Sequence, residues 1–329
     1  MGHQHHPHDH NHAHDHTDGT ESHTHAHTHQ GHHGHHHHGP ANYNKAFAIA
    51  VGANLLFTLI EVGYALAAHS MSLLADAGHN FGDVIGLLFA WLASWLLTLK
   101  PGGRYSYGFK RTSILAALAN ALLLVFTSAI IVHESIIKLI HPAPVGATII
   151  MIVATIGILV NGGTALLFIR GRHDDLNLKG AFLHLAYDAL ISVGVVVTGL
   201  LILWTHWLWL DPVVGLAIVV AILLGTWGLL RESVNLILDA VPHGIDHRGV
   251  AEYLQNIEGV NAVHDLHIWG LSTSGVALTA HLVVPDRVLS DEEFRSINTD
   301  LKQKFRIDHV TIQVEKGSEE HPCPQSETC

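Results

Sequence analysis

The chain has 329 residues, 48% of them hydrophobic and only 14% charged, with a formal net charge of −11. No basic stripe is available to neutralise phosphates, which excludes nucleic acid as a partner. The two cysteines, Cys323 and Cys329, both stand at the extreme C-terminal end, which excludes a disulfide framework and fits a reducing compartment for the tail.

Residues 1–40 are polar throughout. They lack a basic start followed by an apolar run, so no secretory leader is expected. Of the 32 histidines, 18 fall before residue 40, in runs such as HQHHPHDHNHAHDH and HGHHHHG. Interspersed Asp, Thr, Ala and Pro distinguish this tract from an expression tag. A segment of this composition cannot pack a core and is expected to be disordered. Neutral imidazole binds zinc, copper, cobalt and nickel well, so the tract reads as a metal-collecting arm.

Six apolar segments follow, each long enough to cross about 30 Å of hydrocarbon. They run approximately over Lys45–Ala68, Met71–Leu99, Thr112–Ile140, Val145–Ile169, Gly180–Thr205 and Pro212–Leu230. Lys100, Arg104, Lys110 and Arg111 lie between segments two and three. Arg170, Arg172 and Lys179 lie between four and five, and Arg231 follows six. The opposite loops hold little positive charge. Lys and Arg accumulate on the cytoplasmic side, so both termini are expected there, with a bacterial inner membrane as the host.

The tail past residue 240 changes character. Asp246 is placed to cap a helix through Asn256, and Gly259 follows it. Val263–Leu271 and Val276–Val284 read as a strand pair around a Ser-Thr-Ser-Gly turn. On the second strand, Val276, Leu278, Ala280, Leu282 and Val284 alternate onto one face, leaving Thr279, His281 and Val283 on the other. Ser290 with Glu293 forms a capping box for a helix to about Phe305, and His309–Glu315 supplies a third strand. The expected fold is an α-helical membrane protein. It has an arm (1–40), six transmembrane helices (41–240), a small α/β domain of ferredoxin-like αββαβ order (241–316) and a flexible Cys-containing tail (317–329).

Ionisable groups within membrane segments are costly and point to function. Segment two holds His79 and Asp83, and segment five holds His184 and Asp188. A spacing of four puts each pair on one helix face, one turn apart. One such pair alone could be an intrahelical hydrogen bond. Its repetition in two membrane helices, beside a His-rich arm, points instead to a site of two imidazoles and two carboxylates, a donor set suited to tetrahedral Zn²⁺. Asp76 lies seven residues before Asp83 on nearly the same face. For Asp76 and for Glu61 in segment one, a permeation path and a structural pair both remain open. Asn54, Asn120 and Asn161 read as interhelical packing partners. His133 and Glu134 do not make HExxH, which leaves a zinc protease unsupported. Neither a GxxxxGK[ST] loop nor a DKTG-like sequence is present, so a gradient rather than ATP is the expected energy source. Six further histidines, His243, His247, His264, His267, His281 and His309, crowd the tail domain and suggest a second metal site there, with Cys323 and His321 within reach.

These stretches resemble the cation diffusion facilitator family, the zinc transporters. The resemblance covers residues 42–316 and is carried by SLLADAGHNFGD, RYSYGFKRTSILAALAN, HLAYDALISVGVVV and VHDLHIWGLS. The arm and the His-Asp-Leu-His-Ile-Trp stretch are most similar to its bacterial cobalt–zinc–cadmium resistance members. The resemblance implies a homodimer that exchanges cytoplasmic Zn²⁺ for protons, without nucleotide. It places the transport site on His79, Asp83, His184 and Asp188. It implies a cytoplasmic metal site on His264, His281 and Glu315, with Cys323 and Cys329 as further ligands. Family members often carry CxxC near this end, whereas these cysteines are six apart. It also implies a charge pair of Arg111 and Asp239 at the dimer contact. The expected function is proton-coupled efflux of Zn²⁺, with Co²⁺ and Cd²⁺ as further substrates, giving metal resistance. A membrane metalloenzyme using the same ligands, and a metal sensor anchored by its helices, are the competing readings.

Overall fold

The computed structural model describes residues 41–169 and 176–317, together with Cys323. The His-rich arm, Arg170, Arg172, His321 and Cys329 lie outside the described residues. Six long helices come first: α1 (Ala41–Ala67), α2 (Met71–Leu97), α3 (Thr112–Ile140), α4 (Ala147–Phe168), α5 (Leu176–Thr205) and α6 (Leu210–Ile237). Each contains a stretch long and apolar enough to cross a membrane. Their outward residues agree with that reading. Leu56, Trp91, Phe126, Leu159, Trp204 and Leu224 are each more than half exposed, an apolar girdle that water would not tolerate and lipid would.

Inside the bundle α3 packs on α2 and α6, and α4 packs on α5. Leu73, Leu124, Ile131, Val153, Val195 and Val219 form its buried centre. Small residues let the helices approach. A Cβ at Gly215 would lie 2.9 Å from the backbone carbonyl of Met71, so only glycine allows α6 to meet the start of α2 here.

The C-terminal domain contains α7 (His247–Gln255), β1 (Ala262–Gly270), β2 (Val276–Val283), α8 (Asp291–Phe305) and β3 (His309–Glu315). The expected end signals operate. Asp246 accepts a hydrogen bond from the Arg248 amide, Gly259 takes φ +81°, and Ser290 and Glu293 close a reciprocal capping box. The sheet order is β1-β2-β3, with β2 antiparallel to β1 and parallel to β3 through the α8 crossover. A complete ferredoxin-like sheet has a fourth strand between the last two. Here β2 and β3 pair directly and the sheet is mixed.

Two sequence expectations need correction. The sixth helix does not stop at Leu230. It runs on to Ile237, carrying Arg231 within it, because helical hydrogen bonding continues where the apolar run ends. Nor does β2 bury a single face. As the central strand it also buries Ala277 and His281 on the other face.

Candidate metal centre

The i, i+4 pairs of α2 and α5 face each other. His79 Nε2 lies 3.6 Å from Asp83 Oδ2 and 3.5 Å from Asp188 Oδ1. His184 Nε2 lies 3.3 Å from Asp83 Oδ2 and 3.6 Å from Asp188 Oδ2. One ligand atom from each residue falls within 4.8 Å of all the others. The imidazoles stand edge to face, 6.1 Å apart at 80°. Each histidine therefore bridges its own carboxylate and the one on the other helix. Asp83 Oδ2 and Asp188 Oδ1 are buried without a conventional hydrogen-bond donor, as is His79 Nδ1. Two such carboxylates would carry an uncompensated charge in hydrocarbon, and a divalent cation among the four side chains offsets it.

A cavity of about 420 Å³ reaches this cluster. Asp83, His184 and Asp188 line it, with Asn54, Thr58 and Asn120. The sequence treats Asn54 and Asn120 as packing residues, but both stand on the cavity wall. Asn161 is buried in α4 with its amide nitrogen unpartnered. Glu61 and Asn80 are linked, Asn80 Nδ2 donating to Glu61 Oε2 at 3.1 Å. Asp76 accepts from Ser192 of α5 at 2.9 Å. No spacing rule connects residues on separate helices, so these partners were not legible beforehand.

A second cluster lies on the sheet. His264 and His281 are direct partners in the β1–β2 register, and Glu315 ends β3 on the neighbouring side. His264 Nε2 is 3.1 Å from Glu315 Oε2, and His281 Nδ1 is 2.9 Å from Glu315 Oε1. Cys323 Sγ reaches His281 Nδ1 at 3.4 Å, and a donor atom from each of the four lies within 4.8 Å of the rest. Burial pushes the Glu315 carboxyl up, but hydrogen bonds from Cys323, Gln313 and His264 outweigh it and hold the group below the usual carboxylate range. Sequence reasoning missed Asp265. The register slips between His264 and His267, with Asp265 at φ +51°, and this bulge turns its carboxylate to His267 (3.1 Å) and His281 (3.4 Å). The signal was its position between two histidines in VHDLHIW. Cys329 lies outside the described residues.

Arg111, preceding α3, and Asp239, just past α6, meet within one chain at 2.5 Å, each about half exposed.

Two family matches cover this architecture. The cation efflux transmembrane domain matches residues 47–238, and the cytoplasmic domain of cation efflux proteins matches residues 242–317. The chain belongs to the cation efflux family. It is 34% identical over 293 residues to the metal cation efflux system protein CzcD of Cupriavidus metallidurans, covering 88% of this chain and 90% of the relative. It is 34% identical to the zinc transporter ZitB of Escherichia coli K12, over 83% of this chain and 88% of ZitB. The cadmium, cobalt and zinc/H⁺-K⁺ antiporter of Bacillus subtilis 168 is 33% identical over 80% of this chain and 86% of its own length. This member of the family is thus an integral membrane protein with a cytoplasmic-type domain after its sixth helix.

Proposed function

We propose that this protein exports Zn²⁺, and with it Co²⁺ and Cd²⁺, from the cytoplasm in exchange for protons. The observation that carries the reading is the convergence of His79, Asp83, His184 and Asp188 from two membrane helices beside a cavity. Two imidazoles and two carboxylates accept all three ions in tetrahedral geometry, whereas Mn²⁺ prefers an octahedral oxygen shell. The names of the relatives support the same substrates and the antiport.

Imidazole binds metal only when neutral and carboxylate only when ionised, so protons and zinc compete for the same atoms. The excess of Lys and Arg in the loops after α2 and α4 supports cytoplasmic termini. On this orientation the ion enters from the side of the sheet domain and leaves at the α1–α2 turn. The family's cytoplasmic domain supports a homodimer, with Arg111 and Asp239 at its membrane edge. The residues on the sheet fit a resident zinc ion. His264, His281, Glu315 and Cys323 offer two nitrogens, an oxygen and a sulfur, and the buried His264 Nδ1 has no other partner. Zinc there would join three strands and the tail. The His-rich arm would raise the local metal concentration at the entrance.

The test is zinc flux into liposomes containing the purified full-length protein, with and without an inside-acid gradient. Uptake that follows the gradient is the expected result. Absence of zinc flux would favour the enzyme or sensor readings, and flux indifferent to the gradient would mean facilitated diffusion.

A further inference from the structure

Beyond the four-ligand centre, the bundle buries two more acids. Glu61 on α1 and Asp76 on α2 are both fully buried. Each has one oxygen fixed by a donor, Asn80 Nδ2 for Glu61 Oε2 and Ser192 Oγ for Asp76 Oδ2. Each has its other oxygen, Glu61 Oε1 and Asp76 Oδ1, buried without a partner. Asp76 and Asn80 stand one turn apart on the same face of α2, so the Glu61 carboxyl that Asn80 holds lies on the face that carries Asp76. No Lys or Arg is buried among the described residues, and the other titratable groups acting on the pair are His79 and Asp188.

We propose that Glu61 and Asp76 share one proton between Oε1 and Oδ1, and that this proton is one of those exchanged for metal. Two ionised carboxylates in contact in hydrocarbon would be strongly unfavourable, and a single proton satisfies both unpartnered oxygens at once. The placement suits an exchange. Asp76 is three residues from His79 on the side toward the α1–α2 turn, about 4.5 Å along the helix axis. A proton arriving from that end meets the pair before it meets the metal ligands. Two bridges join the pair to the centre: Asn80 adjoins His79 in sequence, and Ser192 lies one turn beyond Asp188 on α5. An ion of charge +2 at the four ligands disfavours the proton, and the proton disfavours the ion, with equal coupling in both directions. The cycle balances. One proton leaves the pair toward the cytoplasm as the ion binds, and one returns from outside as the ion departs. The proposal rests on the transport reading for its role, but the shared proton is observable without transport.

Infrared difference spectroscopy of the full-length protein in lipid, with and without zinc at neutral pH, reads the proton directly. The metal-free protein should show a protonated-carboxyl C=O band that shifts in D₂O and fades when zinc binds. Glu61→Gln should remove it, because the new amide donates to Asp76 Oδ1 and makes the proton unnecessary. Asp76→Asn should act the same way from the other side. Both variants should keep zinc affinity within about tenfold of wild type while releasing about one proton fewer per zinc bound. Absence of the band in wild type, a measurement that needs no substitution, overturns the proposal. So do its persistence in both variants, unchanged proton release, or release of another cation in place of the proton. A wild type that shows the band and the proton release but carries no zinc across liposomes would sink the transport reading and leave the shared proton standing.

Discussion

Asp211, in the first turn of α6, holds the Ser70 hydroxyl at 2.5 Å across 141 residues of chain. The same carboxylate accepts from the Met71 amide at 2.6 Å and from the Ser72 amide and hydroxyl at 3.1 and 2.6 Å. Four donors at the start of α2 thus converge on one fully buried acid from another helix. Ser70 itself accepts from the Leu73 amide as the N-cap. Two orphan amides of the α2 terminus are satisfied this way, and negative charge there suits the helix dipole. Because α2 carries His79 and Asp83, this contact sets the depth of half the metal centre.

Asp211→Ala should therefore destabilise the protein by about 3 kcal/mol or more, since a buried donor left without its acceptor costs about 1–3 kcal/mol and several are exposed at once. A thermal unfolding series in detergent checks it. Asp211→Asn, which keeps one acceptor oxygen, should fall between the variant and wild type. A melting temperature unchanged by the alanine would show that lipid or water replaces the carboxylate.

At the centre itself, Asp83→Ala or Asp188→Ala should cut zinc flux by about 100-fold or more while the protein remains folded, since even outer-shell partners of a metal ligand are worth about 10–100-fold. Asp188 is nearly fully buried and Asp83 a quarter exposed. Removing either leaves each histidine with one carboxylate instead of two. His79→Asp should make the donor set harder and move preference toward manganese. Liposome flux with competing ions measures both effects, and near-normal zinc flux in both alanine variants would put the transport site elsewhere.

Arg111 and Asp239 make a half-exposed pair, and such pairs contribute only about 0–1 kcal/mol. Stability should therefore barely change in Arg111→Asp. Transport should fall severalfold, because the pair ties the start of α3 to the end of α6, where the membrane part hands over to the sheet domain. Adding Asp239→Arg restores opposite charges with exchanged positions and should recover part of the flux. A double variant no better than the worse single one would remove the pairing from the mechanism.

The contrast between what the sequence made legible and what it did not follows the range of the interactions. Asp246, Gly259 and the Ser290–Glu293 box act within four residues, and the elements they bound fall within a residue or two of the expected ends. The spacing of His79 with Asp83 and of His184 with Asp188 is equally local, and it anticipates that each pair shares a face. The repetition of that spacing in two membrane helices pointed to one shared site, and the family resemblance placed the transport site on the same residues. The Ser70–Asp211 contact, the Glu61–Asn80 hydrogen bond and the Asp76–Ser192 hydrogen bond join separate helices, and no local pattern encodes them. The bulge at Asp265 places a left-handed residue in mid-strand, where an alternating pattern expects extended backbone, and is visible only in the paired register. The end of α6 was misplaced for another reason. Hydropathy reports where lipid stops, not where the helix does.

The last prediction concerns the cluster on the sheet. His281 sits on the central strand, almost fully buried, and touches Glu315, Asp265 and Cys323. His264 faces it from β1, with ring centroids 5.1 Å apart. If these residues hold a resident zinc ion, His281→Ala removes a ligand and leaves Glu315 and Asp265 with one imidazole each instead of two, so binding and local stability should fall together. His264→Ala, at a more exposed position, should lose the ion with less damage to the domain. Cys323→Ser exchanges a thiolate for a poor ligand and should weaken binding about 10-fold or more, on the scale of other losses around zinc. Zinc bound at the transport centre or on the His-rich arm would obscure the count, so the three substitutions are best made in an Asp83→Ala background that lacks residues 2–39. Equilibrium dialysis after a chelator wash should then give one zinc per chain without further substitution, and none with His264→Ala or His281→Ala. A stoichiometry that stays at one in both would mean that the imidazole–carboxylate contacts on the sheet are hydrogen bonds that hold the strands and nothing more.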